Sequence, residues 1–206
     1  MLEDKLRFIE AFYNTAAKPF EKVIQQIENR TGRYRNDPPN FDPEWGEPAY
    51  LEELMDAHTS LNLLGQSCLC ILQNAFRDFL DGCVVHTRVQ KPNLKGNWFK
   101  KYKVFFKQRY KIDWDEAPVN HELLEDVSLT RNSIQHTDGH VSWTLNRKQT
   151  KDHFSRFPNS KFVSKMDKHL TPSLPGNVTV KKEVFFEALK TVREFCSYLW
   201  NHEAAN

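Results

Sequence analysis

None of the four cysteines, Cys68, Cys70, Cys83 and Cys196, stands in a CxxC pair, and no HExxH occurs among the eight histidines. The commonest spacings for metal or thiol chemistry are therefore missing. No cofactor or metal is expected. Three of the cysteines lie among apolar residues at helical spacing, where a reduced thiol behaves as a small hydrophobe, so a reducing compartment is the simpler expectation. No stretch is long and apolar enough to span a bilayer, and Met1-Leu2-Glu3-Asp4-Lys5 lacks a basic region with an apolar run behind it. A soluble cytoplasmic protein without a membrane partner is expected. Internal repeats and low-complexity tracts are absent too.

Charge of one overall sign is also lacking. The 29 lysines and arginines nearly balance 27 acids, leaving a formal net charge of +2. A uniformly basic nucleic-acid coat is excluded, and any affinity for RNA or DNA must come from local clusters. Such clusters exist. Lys95 to Lys111 carries seven basic residues and no acid, Arg147 to Lys168 carries seven against Asp152 and Asp167, and Asp113 to Asp126 is acidic.

The 206 residues suit a single domain with a substantial core. Leu2, Leu6, Ile9, Tyr13, Ala16, Phe20, Val23 and Ile27 step by fours and threes, the spacing of one apolar stripe on an α-helix. Pro19 removes a backbone bond inside that helix, so a kink or two helices meeting at Lys18 is expected. Residues 29–48 hold four prolines and read as an irregular loop, either a functional flap or simply mobile; Arg30, Arg33, Tyr34 and Arg35 are candidates there for phosphate contact, although a solvated loop is the plainer account. Ala49 to Gly82 reads as the central core helix, in which Gly65 lets a neighbour approach closely. Trp98, Phe99, Tyr102, Phe105, Phe106 and Tyr110 again recur at helical spacing, interleaved with lysines. That helix is either ordinarily amphipathic or a basic track for a phosphate backbone, with Lys100, Lys103 and Lys107 as candidate substrate-binding residues alongside Arg147 and Lys148.

Asn120 reads as the N-cap of a helix whose first turns carry Glu122, Glu125 and Asp126, charges suited to a helix N-terminus. Gly139 supplies a left-handed stop, so this helix should end close to His136. Residues 140–178 read as a basic elaboration, in which His140 to Leu145 alternates like a strand and Val178 to Val180 can pair with it as a small β-hairpin. A final apolar-faced helix from Val184 to Leu199 closes a mainly α-helical antiparallel bundle.

The stretch Leu129 to His140 holds the chemistry. Arginine offers a permanent planar fork for phosphate oxygens, and histidine takes and gives protons near neutral pH. Arg131 and His136 are five residues apart, roughly 140° around a regular helix. Either the last turn unwinds before His136, or the two side chains meet partners across a subunit boundary. Asn132 shares a face with His136 and either orients the imidazole or binds a substrate oxygen.

Arg131-Asn132-Ser133-Ile134-Gln135-His136, at the end of an acidic helix and followed by Asp138-Gly139, resembles the R-polar-x-x-x-H signature of the HEPN domain. The likeness spans about Ala49 to His140. It implies a helical bundle acting as a metal-independent endoribonuclease, commonly a toxin or antiviral-defence effector, whose site forms where two motif helices meet in a homodimer. On this chain it implies Arg131 on the scissile phosphate, His136 in proton transfer as the 2′-hydroxyl attacks, and Asn132 in support. The partners implied are RNA, a second copy and an antitoxin or sensor protein. Asp138 stands where one branch of the family carries a tyrosine, which puts control through that tyrosine in doubt.

Three other readings stand beside it. Arg131 pairs with acids of its own helix while His136 merely favours the helix dipole. The fold is a non-catalytic module that binds RNA, nucleotides or a protein. His136, Asp138 and His140 hold a metal, for which companion ligands are lacking.

Overall fold

The computed structural model describes residues 2–38, 41, 46–86, 98–136, 160–162 and 178–203, the side chains of His86, Trp98, His136 and Glu203 excepted. Among them the chain is mainly helical and contains no strand. Helix α1 runs from Leu2–Glu28, α2 from Leu51–His86, α3 from Trp98–Arg109, α4 from His121–His136 and α5 from Lys182–Glu203. None of these helices is long and apolar enough to cross a membrane.

Helix α1 is one element through Pro19, not two helices meeting at Lys18. Its buried stripe is Leu6, Ile9, Tyr13 and Ala17, all in the part before the proline. The helix before the proline, residues 2–18, is seated on α2 and holds the backbone in register, so one lost hydrogen bond is tolerated.

Helices α1 and α2 are antiparallel: Lys5 pairs with Asp78 at 2.8 Å, while Phe8 and Ile9 lie beside Ile71 and Ala75. Helix α5 also runs against α1. Arg193 reaches Glu3 and Glu10, each at 3.2 Å, and Lys182 reaches Glu21 at 2.7 Å. Between the three helices sits an aromatic core in which Tyr13 stacks on Phe185 with centroids 4.9 Å apart and Phe76 meets Phe195 edge-on at 5.9 Å. Helix α4 packs on α2 and α5. Trp114, in a short 3-10 turn ahead of α4, is wedged edge-on against both Phe99 and Phe195, at 5.1 and 4.9 Å. Each such ring pair adds about 0.5–1.5 kcal/mol beyond the area it buries.

The expected hairpin is not found among the described residues. Its first strand, 140–145, lies outside them. At its second, Val178 O accepts from Gln66 Nε2 at 2.9 Å and Val180 N donates to Asn62 Oδ1 at 2.9 Å. Thr179 N donates to Phe162 O at 2.8 Å. Side chains of α2 thus hold the backbone of the second segment in place. Gly65 makes this approach possible, since a Cβ there would lie 2.6 Å from Val180 O.

The described part of the 29–48 connection holds more structure than expected. Gly32–Tyr34 is a 3-10 turn, Tyr34 is buried and meets Tyr50 edge-on at 4.7 Å, and Tyr50 donates its hydroxyl to Asn36 O at 2.8 Å. Two of its arginines are already engaged: Arg33 lies over the Tyr34 ring and Arg30 pairs with Asp37 at 3.5 Å.

Candidate active site

Local chemistry sets where α4 begins. Asn120 Oδ1 accepts from Leu123 N at 3.1 Å, satisfying one of the orphan donors of the first turn. The helix then buries Leu123, Leu124 and Val127. It remains helical to His136. The alternative in which the last turn unwinds before the histidine is therefore set aside. Five residues of unbroken helix set positions 131 and 136 roughly 140° apart around the axis. The imidazole itself lies outside the described atoms.

Arg131 is half-buried, and its Nη1 donates to Asn132 Oδ1 at 3.2 Å. Its Nε is buried without a hydrogen-bond partner among the described residues. No carboxylate among them pairs with it, so the expected alternative of a surface arginine satisfied by its own helix is not what is seen. Across the interface stands Cys70 of α2. Burial raises its thiol above the usual value, and the Arg131 charge opposes that rise. A guanidinium held on one edge, with a desolvated Nε and no counter-charge, is suited to an anion. Asn132 is committed to Arg131 through Oδ1, which favours a positioning part for it over direct binding of substrate.

Below the motif, α4 buries polar groups that sequence reasoning treated as helix-end charges. Asp126 is only 3% exposed, as deep as the apolar core. Ser160 Oγ reaches both its oxygens at 3.0 and 2.9 Å, Thr130 Oγ1 lies 3.4 Å away, and Ser160 Oγ also accepts from Phe162 N at 3.2 Å. Phe162 is fully buried and Lys161 pairs with Glu187 of α5 at 2.6 Å. The triplet 160–162 thus anchors the long connection between α4 and α5 against the motif helix. A signal existed: Asp126 stands three residues after Leu123 and four before Thr130, on the flank of the buried stripe rather than on the wet face.

The lysine track of α3 is partly spent. Lys103 reaches Asp115 Oδ1 at 2.6 Å and Lys107 reaches Asp113 Oδ2 at 2.6 Å. The hydrogen bond between Lys107 and Asp113 raises the ammonium above its usual value and lowers the carboxyl below its own. Lys100 is exposed, and no acid among the described residues is paired to it. Helix α3 is tied down by Tyr102, whose hydroxyl bonds to Asp81, and by Tyr110, which donates to Cys83 O at 3.1 Å. Asp81 is eleven residues beyond Cys70, about 16 Å along α2. The α3 lysines are therefore not gathered around Arg131. Arg147 and Lys148, like Asp138 and His140, lie outside the described residues. Among the described residues no three His, Cys, Asp or Glu side chains gather where they can hold a metal ion.

Compared with known proteins, the chain matches no family model, no curated protein and no solved structure.

Proposed function

We propose that the protein is an endoribonuclease of the HEPN type, a helical bundle acting as a homodimer on RNA without a metal ion. The observation that carries this reading is Arg131: a guanidinium at a helix interface, braced by Asn132, with a buried Nε and no carboxylate paired to it among the described residues. Stabilising such a cation without a counter-charge has a use when an anion arrives. In the proposed reaction an RNA 2′-hydroxyl loses its proton and attacks the adjacent phosphorus. The bond to the 5′-oxygen breaks, and that oxygen takes up a proton. The products are a 2′,3′-cyclic phosphate and a 5′-hydroxyl end. Arg131 stabilises charge on the non-bridging oxygens and His136 handles a proton transfer.

The unbroken helix of α4 supports the dimer, because positions 131 and 136 lie on different faces of one copy and a two-fold pair of helices can bring one of each together. Apolar surface for self-association is present on α1 and α2. Phe8 and Phe12 stack with centroids 6.1 Å apart on the outside of α1, and Leu63 and Ile71 of α2 are exposed as well, Ile71 next in the chain to Cys70. A toxin or defence effector in the cytoplasm, restrained by an antitoxin or sensor protein, is the cellular setting this reading implies.

The test is to incubate the protein and its His136→Ala form with total RNA and a chelator, then map the fragment ends. Cyclic-phosphate ends from the parent and none from the variant support the reading. Intact RNA from both favours the non-catalytic binding module. The engagement of Lys103 and Lys107 by acids is the observation on that side, since it thins the charge a cleaving enzyme would spread along its substrate.

A further inference from the structure

We propose that the half-open cleft lined by α1, α2 and α5, away from the motif, binds an uncharged and largely apolar small molecule with one hydrogen-bonding end. The cavity measures about 630 Å³, a ligand-sized space between the helices of a bundle. Its walls include Leu6, Phe79, Cys83 and Cys196, with Trp200 at the edge, 59% exposed. Burial keeps the Cys196 thiol neutral by pushing its titration well above the usual value, so the sulfur wall is apolar in character.

Gly82 is the residue that most needs explaining. It lies within the 36-residue α2, where glycine costs helix stability relative to alanine. A Cβ there would meet no atom within 4 Å, and its backbone is helical. Neither a close neighbour nor a left-handed conformation calls for glycine, in contrast to Gly65 in the same helix. What the missing side chain does is leave the cavity its width. A larger residue would grow into the open space.

The charges around the cavity decide what kind of ligand fits. Lys5 is paired with Asp78 at 2.8 Å, and Arg193 with Glu3 and Glu10 at 3.2 Å. A charged ligand has to break one of these pairs or face a neutralised rim, whereas an uncharged one leaves them intact. Ser197 and Asn201, on the exposed side of α5, are the polar groups left at the wall to receive a hydroxyl or amide.

The experiment titrates the whole chain with 1-naphthol and, separately, with the anion 1-naphthoate, followed by calorimetry. Expected are saturable binding of one naphthol per chain, at least tenfold weaker binding of naphthoate, and at least tenfold weaker naphthol binding by Gly82→Leu with helical circular dichroism retained. Trp200→Ala changes an exposed residue and covers the case in which Gly82→Leu fails to fold; it should bind naphthol severalfold more weakly. Three results overturn the proposal: no saturable naphthol binding, equal binding by parent and both variants, or naphthoate binding as tightly as naphthol. Self-association that Gly82→Leu removes, without naphthol binding, also overturns it and assigns the cavity to a second copy.

Discussion

The hydroxyl of Ser160 bonds both carboxylate oxygens of Asp126, thirty-four residues earlier in the chain and almost fully buried in α4. This contact fastens a distant segment to the helix that carries Arg131. Removing it should loosen the helix rather than the chemistry. Ser160→Ala is expected to cost about 1–3 kcal/mol, the range for taking a partner from a buried polar group, read as a lower urea midpoint. A midpoint unchanged in Ser160→Ala would mean that the carboxylate does not depend on this hydroxyl.

Arg131 and His136 should behave as a reacting pair. Arg131→Ala and His136→Ala are each expected to reduce RNA cleavage by at least about a hundredfold with folding intact. Arg131→Lys should not restore it, because an ammonium lacks the planar fork. Initial rates on a defined RNA check this, and substantial activity in the lysine form would remove the bidentate argument.

Mixing tests the subunit boundary. If each site takes arginine from one copy and histidine from the other, equal amounts of inactive Arg131→Ala and inactive His136→Ala chains should recover about a quarter of parental activity. Half the dimers are then mixed, and each has one intact site of two. No recovery after exchange of subunits would place both groups in one chain.

The two glycines of α2 should respond in opposite directions. Gly65→Ala drives a Cβ to 2.6 Å from Val180 O, a backbone atom, and should destabilise by about 1–3 kcal/mol. Gly82→Ala meets open space and should stabilise by up to about 1 kcal/mol through helix propensity alone. Thermal denaturation of the two variants separates a glycine kept for contact from one kept for space.

The Lys107–Asp113 pair gives a small pH signature. Asp113 has a lowered titration, so its contribution is present above the ordinary value of 3.8 and disappears as pH falls through the folded-state value. Lys107 has a raised one, so its contribution is present below 10.5 and disappears as pH rises through the folded-state value. Lys107→Gln should therefore differ from the parent in urea midpoint only between these limits, and added salt should shrink the difference because the pair is exposed. A difference that persists in acid below the folded-state value of Asp113 would point to packing of the lysine stem instead.

The order of helices and the cap at Asn120 were legible in the residues, because apolar periodicity and capping groups act within a few positions of one another. Other features were settled only in three dimensions. Three neighbouring acids, Glu122, Glu125 and Asp126, look alike in one dimension, and the fold buries Asp126, bringing Ser160 from a remote segment against it. Lys103 and Lys107 read as free cations until the turn after α3 brings Asp115 and Asp113 against them. Val178 to Val180 has strand-like composition, and only the fold brings Asn62 and Gln66 of a distant helix to its backbone groups. Gly65 and Gly82 are the same residue in the same helix, and only what stands opposite each distinguishes contact from cavity. Short-range stereochemistry is written along the chain. Which polar group ends up beside which is decided by long-range packing, where a buried donor or acceptor takes whatever partner the fold brings within reach.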